Sequence, residues 1–267
     1  NHFYRWFLGL VAQWKQMSSV YANSVLPLLV GEQGCGKSTW CRNLLPPVLR
    51  DFYTDSIDFG NRRDAELMLH RFALINIDEF DSVGASRQSF LKHLLQKPEV
   101  NARKPYKSSV RALKRYAGFV GTCNNMDLLS DPTGSRRFLC VEIKGEIDRR
   151  YLVDHDQLYA QAIYLLRAGE RYWFTHEEEL AVTRQNEAFE QVPVEEQLLL
   201  QYFRAVPVGE DGGDWLSVAE IMQHIRKRSR LSFSNTTING FGHLLRRNNY
   251  PFRHALRGNL YHVEEIG

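Results

Sequence analysis

Eight consecutive residues, Gly31-Glu32-Gln33-Gly34-Cys35-Gly36-Lys37-Ser38, fit the pattern G-x-x-x-x-G-K-[ST] in full. Such a turn points backbone N–H groups at phosphate oxygens, and the helix that follows adds its positive N-terminal end. Gly31, Gln33, Gly34, Cys35, Gly36, Lys37, Ser38 and Thr39 are therefore expected to cradle a nucleoside triphosphate. Lys37 reaches the β- and γ-phosphates, and the Ser38 hydroxyl ligates Mg²⁺. A second group of residues, Ile75-Asn76-Ile77-Asp78-Glu79-Phe80, ends an apolar run on two carboxylates. Asp78 is expected to hold Mg²⁺ through water and Glu79 to polarise an attacking water, a role that hydrolysis requires and transfer to another acceptor does not. Asp81 next to them reads as a cap or a structural residue.

Two further stretches follow in order. Gly118 to Asn125 (GFVGTCNN) is an apolar strand ending in Thr and Asn, and the amide of Asn124 there could orient the attacking water; Asn-Asn after a strand is also an ordinary turn. Asp131 to Phe138 (DPTGSRRF) places Arg136 and Arg137 just before another apolar run. Arginine forks onto phosphate oxygens and stays charged, which suits a finger donated to a neighbour's nucleotide; a surface salt bridge is the other use of such a pair. The residue types do not choose between Arg136 and Arg137.

These groups need a scaffold that brings strand ends together. Val25 to Val30 is a short apolar run entering the glycine turn, and 38–45 reads as a helix stopped by Pro46-Pro47. Phe52 to Thr54, Phe72 to Ile77, Tyr116 to Thr122 and Phe138 to Ile143 are further strand candidates, with helices over 64–71 and 86–95 between them. Strands without alternation, separated by helices, predict a parallel sheet covered on both faces. The phosphate-binding turn and the acidic strand end are expected to face each other across adjacent strands of that sheet. Ahead of it, Phe3, Trp6, Phe7, Leu10, Val11 and Trp14 form the stripe of an amphipathic helix. Beyond it, 156–189 reads as helical, with Glu177-Glu178-Glu179 as a solvated face without a role. The chain breaks at Val192-Pro193, and a smaller unit follows: helix 195–203, strand 215–216, helices 218–227 and 235–247, and a two-strand ribbon through 252–263. The expected divisions are an N-terminal helical segment (1–24), a P-loop ATPase core (25–145), a helical extension (146–194) and a winged-helix-like domain (195–267).

Composition sets bounds around this reading. The 267 residues are 43% apolar and 24% charged, enough for a substantial core, and the net charge is only +3, so any nucleic-acid partner must be argued from where the charge lies. The four cysteines, Cys35, Cys41, Cys123 and Cys140, have no paired spacing and fit reduced thiols of a cytoplasmic protein. No apolar run approaches the roughly 18 residues of a membrane span, so no membrane partner is expected. The opening Asn1-His2-Phe3-Tyr4-Arg5 runs straight into a helical pattern, as expected of a piece of a longer protein.

Taken in order, GEQGCGKST, INIDEFD, FVGTCNN and DPTGSRRF resemble the virulence-associated protein E family of phages and mobile elements, whose ATPase domain is similar to superfamily 3 helicases of the AAA+ class. The likeness runs from about Val25 to Glu190, and DPTGSRRF with the later GERYWF (Gly169 to Phe174) is its most specific part. It implies a replicative ATPase that assembles as a ring, possible hexamer, moves on DNA, and is often linked to a primase. It assigns Lys37 and Ser38 to the Walker A positions, Asp78 and Glu79 to the Walker B pair, Asn124 to the sensor, and Arg136 or Arg137 to the finger. Cys35 departs from the apolar residue usual in the family's loop and adds an oxidisable thiol.

Between the acidic pair and the sensor strand, Lys97, Arg103, Lys104, Lys107, Arg111, Lys114 and Arg115 face one acid, Glu99. Pro105-Tyr106 lies in their midst. A basic hairpin tip with a stacking ring suits a loop that grips a sugar-phosphate backbone, with Arg103, Lys104, Tyr106 and Lys107 as the contacting residues. In superfamily 3 helicases, which this region is similar to, a hairpin here lines the channel; a solvated basic loop or one packed on a neighbouring subunit is the alternative. From Trp215 to Val263, Arg226, Lys227, Arg228, Arg230, Arg246, Arg247, Arg253 and Arg257 stand against Glu220 alone. The order of elements there resembles a winged helix, a module that binds DNA or protein.

The sequence thus leads to an α/β P-loop NTPase with a small winged-helix-like domain, using ATP and Mg²⁺. As a function it predicts a helicase-like motor on single-stranded or forked DNA. A non-motor ATP-dependent switch, such as a DNA-bound regulator or defence ATPase, shares the same nucleotide residues.

Overall fold

In the computed structural model the described residues are 2–17, 22–103, 110–129, 132–148, 153–210, 212–229, 237–256 and 258–266. The chain forms two compact units, 1–191 and 192–267. The first begins with helix α1 (His2–Trp14), then β1 (Leu26–Val30), α2 (Lys37–Asn43), β2 (Tyr53–Thr54), α3 (Arg62–Arg71), β3 (Leu74–Ile77) and α4 (Ala85–Gln96). A hairpin of β4 (Glu99–Arg103) and β5 (Val110–Lys114) follows, then β6 (Gly118–Cys123), β7 (Phe138–Glu142), α5 (His155–Arg167) and α6 (His176–Asn186). Five strands pair in the order β2-β3-β6-β1-β7, all parallel. Their apolar runs carry no alternation because both faces are covered. Leu26, Leu28, Ile75, Ile77 and Phe119 pack with α3 and α4 on one side, while Val25, Leu29, Leu74 and Val120 pack with α1 and α2 on the other.

Strand β6 lies between β1 and β3, so the glycine turn and the acidic strand end are not on adjacent strands as the sequence suggested. β6 separates them by two inter-strand spacings, roughly 10 Å. Periodicity finds strands but does not order them. The region read as one helical stretch over 156–189 is likewise two helices, broken at Gly169, whose φ of +86° ends α5. The second helix restarts on a capping box between Thr175 and Glu178. Glu178 also forks onto Arg171 at 2.6 and 2.7 Å, and Glu179 pairs with Arg136 at 2.8 Å. The acidic triplet is therefore not a merely solvated face.

The hairpin's charge is also less free than the sequence count implied. Arg115, just past β5, is 1% exposed and spends its guanidinium on backbone carbonyls of Leu94, Leu95, Lys97, Ala117 and Asn23 at 2.7 to 3.3 Å. Burial pulls its pKa down to about 9, still far above neutrality, so a charged side chain caps the end of α4 and ties the hairpin base to β6. Lys97 pairs with Glu66 at 2.8 Å. Arg111 and Lys114 are exposed on the stem. Arg103 ends β4, and the other predicted contacts, Lys104, Tyr106 and Lys107, lie outside the described residues.

The second unit holds α7 (Val194–Tyr202), β8 (Phe203–Ala205), β9 (Asp214–Ser217), α8 (Val218–Ser229), α9 (Ile238–Arg247), β10 (Phe252–Ala255) and β11 (Gly258–Glu265). β11 pairs antiparallel with β10, β8 and β9, and the helices close a separate core around Leu199, Phe203, Ile221, Ile225, Phe241 and Leu245. Arg228 meets Glu265 at 3.1 Å and Arg247 approaches Glu196 at 3.9 Å. Part of the basic excess is thus balanced by acids outside the stretch where it was counted. Among the described residues no helix is long and apolar enough to cross a membrane.

Candidate nucleotide site

The turn after β1 works because Gly34 and Gly36 sit at φ of +85° and +101°, a conformation that side chains resist. Gly36 then caps α2, whose first residue is Lys37. The Lys37 ammonium donates to the carbonyls of Gly31 and Glu32, each at 2.7 Å, and to Asn124 Oδ1 at 3.1 Å. Among the described residues no carboxylate pairs with it, and the residue is only 6% exposed. A buried positive charge at a helix N-terminus draws an anion.

The acidic strand end comes into the same cavity although a strand intervenes. Ser38 Oγ donates to Asp78 Oδ1 at 2.9 Å, and Thr122 Oγ1, at the end of β6, donates a short hydrogen bond to the same oxygen. Thr122 also accepts the backbone N–H of Glu79 at 3.4 Å. Glu79 stands at φ 50° and ψ 53°, the left-handed region that a non-glycine residue occupies at a cost. That turn carries its carboxylate off the line of β3 and leaves it exposed beside Asp78. The cavity, about 340 Å³, is lined by Gln33, Gly34, Gly36, Lys37, Ser38 and Thr39 from the turn and α2, and by Asp78, Glu79, Thr122 and Asn124 from the ends of β3 and β6.

These residues fit a magnesium–triphosphate. A hydroxyl and a carboxylate within hydrogen-bond distance offer the hard oxygen donors that Mg²⁺ takes when phosphates and waters complete its shell. Gly31 completes the turn through its N–H to Cys123 O at 3.1 Å, and Cys35 is buried with its thiol toward Lys37 at 3.7 Å. Thr122 is the site residue whose role the sequence did not single out, although a hydroxyl at the end of an apolar strand, one residue before Cys123-Asn124, was its signal. Asp81 keeps a structural place, accepting from Asn125 Nδ2 at 2.6 Å.

Arg136 and Arg137 are not in this cavity. β7 runs parallel to β1 with Phe138 level with Leu26, so both arginines precede the strand at the edge opposite the glycine turn. One strand of five residues, roughly 16 Å, separates them from their own phosphate site.

A parallel sheet with a glycine turn and an acidic strand end meeting over one carboxylate defines a P-loop nucleotide-binding domain. The chain belongs to the virulence-associated protein E-like domain family, whose model matches residues 1–191. Residues 192–263 match a second model, a domain of unknown function (DUF3874). No curated protein matches the chain. Among solved structures it is similar to the apo NrS-1 C-terminal region (305–718), at 13% identity over 100% of this chain and 71% of that one, with a TM-score of 0.47. A second form of that region gives 12% identity over 98% and 70%, with a TM-score of 0.45. Likenesses of this size do not establish a shared architecture.

Proposed function

We propose that the protein is an ATP-hydrolysing, helicase-like motor on DNA, serving replication of a phage, plasmid or mobile element, with ATP held between neighbouring subunits of a ring. The observation that carries this reading is the separation of Arg136 and Arg137 from their own phosphate site. An arginine that cannot reach its own nucleotide can complete a neighbour's in a head-to-tail assembly. Membership of the family supports the nucleotide chemistry and the mobile-element setting.

In this reading Lys37 takes the β- and γ-phosphates, and Glu79 accepts a proton from the water that attacks the γ-phosphorus. Asn124 orients that water, the γ-phosphoryl bond to the β-oxygen breaks, and the neighbour's Arg136 or Arg137 meets the charge that develops. Ser38 and Asp78 would hold Mg²⁺, which would supply positive charge against the phosphates. DNA would be gripped by the β4–β5 region, through Arg103, Lys104, Tyr106 and Lys107, and by a winged-helix-like C-terminal unit in which α9 is the reading helix. There Arg246 lies 5.0 Å from the Phe252 ring and Arg253 4.2 Å from the Trp215 ring, an arginine–aromatic surface suited to stacking. A primase domain or subunit is the expected companion.

Replacing both Arg136 and Arg137 by alanine is expected to abolish ATP turnover, a loss of about 10³-fold or more, while leaving nucleotide binding within about threefold. Normal DNA-stimulated hydrolysis by that double variant would overturn the finger assignment. A strand-displacement assay on forked DNA separates motor from switch, since a switch hydrolyses ATP without unwinding.

A further inference from the structure

A second cavity of about 580 Å³ opens beside the first, walled mainly by apolar side chains: Phe3, Tyr4 and Phe7 of α1, Trp40 of α2, Ile147 and Leu158. The two cavities share Gly36 and Thr39. This sharing fixes a direction. Asp78, Glu79 and Asn124, beside which the reacting γ-phosphate belongs, line the phosphate cavity alone, whereas Gly36 and Thr39 line both. A triphosphate laid along it leaves its α-phosphate, and the nucleoside attached there, entering the apolar cavity. The walls suit a flat aromatic ring. The Phe3 and Trp40 rings lie 5.6 Å apart at 55°, forming an angled pair, and Leu44 lines the cavity with them. Ile147 is held in the wall because its N–H donates to Cys35 O at 2.9 Å, which ties this segment to the phosphate-binding turn itself.

Resting on the nucleotide reading above, we infer that this aromatic cavity is the nucleobase subsite and that it selects purines by stacking area rather than by reading base edges. The few polar groups around it include Asn43 and Asp148, and the backbone carbonyls of Asn43 and Leu44 are occupied by His155 and by the Tyr159 hydroxyl, at 2.8 and 2.6 Å. A ring held through its faces is sequence-tolerant, because every base has a π-face and purines have the larger one. A site that hydrogen-bonds an edge group instead rejects the analogue lacking it by several orders of magnitude. ATP and GTP should therefore compete within about fivefold, with CTP and UTP weaker.

Calorimetric titration of the full chain with Mg²⁺ and either a non-hydrolysable ATP analogue or inorganic tripolyphosphate tests the assignment. The analogue should bind at least about tenfold more tightly than tripolyphosphate. Phe3→Ala, which removes a wall ring, and Val153→Trp, which adds a large ring at a lining position 37% exposed, should each erase most of that margin and leave tripolyphosphate affinity unchanged. Circular dichroism reports whether each variant is folded, and Val153→Trp keeps the test decisive if Phe3→Ala is not. Equal affinity for the two ligands in the unaltered protein, or a margin that survives both substitutions, would overturn the subsite. A preference for ATP over GTP beyond about a hundredfold would overturn selection by stacking. Failure of both ligands to bind would instead sink the nucleotide reading, which Lys37→Ala probes independently by weakening both.

Discussion

Thr122 shows how a single hydroxyl organises two carboxylates of the candidate site. It donates to Asp78 Oδ1 and accepts the Glu79 N–H, so one side chain fixes the direction of the first acid and the strained turn of the second. Groups that orient ligating and catalytic residues typically cost 10- to 100-fold when removed. Thr122→Val keeps the shape and burial of this strand end while removing both hydrogen bonds. ATP turnover by that variant is expected to fall about 10- to 100-fold, with unfolding free energy changed by less than about 1.5 kcal/mol. Steady-state hydrolysis and chemical denaturation measure the two quantities separately. A loss of stability with unimpaired turnover would assign Thr122 to the core and not to the site. Lys37, Ser38, Asp78 and Glu79 could be named as candidates from the sequence because residue type and local spacing carry their signal, and the fold brings them to one cavity. Thr122 acts on residues 44 and 43 positions earlier, and its hydroxyl is an unremarkable feature of the strand until the sheet is assembled.

At the scale of elements, α6 owes its position to a charge network. Glu178 accepts from Arg171 at 2.6 and 2.7 Å and caps its own helix through Thr175 N at 2.9 Å. Arg5 of α1 reaches Glu170 at 2.5 Å and the Arg171 carbonyl. The hydrogen bond from Arg171 holds the Glu178 carboxyl down at about 2, against an ordinary value of 4.5. A carboxylate depressed in the folded state contributes its full stabilisation above its unfolded pKa and loses it as pH falls toward the folded one. Glu178→Gln is accordingly expected to lower stability by about 1 to 2 kcal/mol at neutral pH, part of the charged hydrogen-bond value being screened by solvent. That difference should shrink between pH 4.5 and 2. Thermal unfolding of both proteins across this range checks it, and a difference independent of pH would show that packing, not charge, is what the substitution removes. The T-x-x-E spacing of Thr175 and Glu178 is a local signal of this helix start that reading 156–189 as one stretch passed over, whereas the pairing of Glu178 with Arg171 needed the turn between α5 and α6 to be seen.

For the molecule as a whole, the cores of the two units are distinct, and every residue of the nucleotide cavity belongs to the first. A chain of residues 1–191 is therefore expected to unfold cooperatively and to bind nucleotide within about threefold of the longer chain. Calorimetry with and without ligand measures both. Loss of cooperative unfolding would mean that the first unit depends on residues beyond 191 for its core. The boundary itself was marked in the sequence at Val192-Pro193, since proline and a change of pattern punctuate a chain locally.

The sequence alone determined what depends on near neighbours: the phosphate turn, the acidic strand end, the alternation of apolar runs with helices, and the separation of a smaller C-terminal unit. The tertiary structure decided everything that depends on which strand lies beside which. It inserted β6 between the two halves of the site, carried Arg136 and Arg137 to the far edge, withdrew Arg115 into the core, and joined an aromatic cavity to the phosphate turn. The physical reason is that spacing along the chain sets backbone conformation, whereas strand order is fixed by burial summed over both faces of the sheet, to which residues far apart in sequence contribute together.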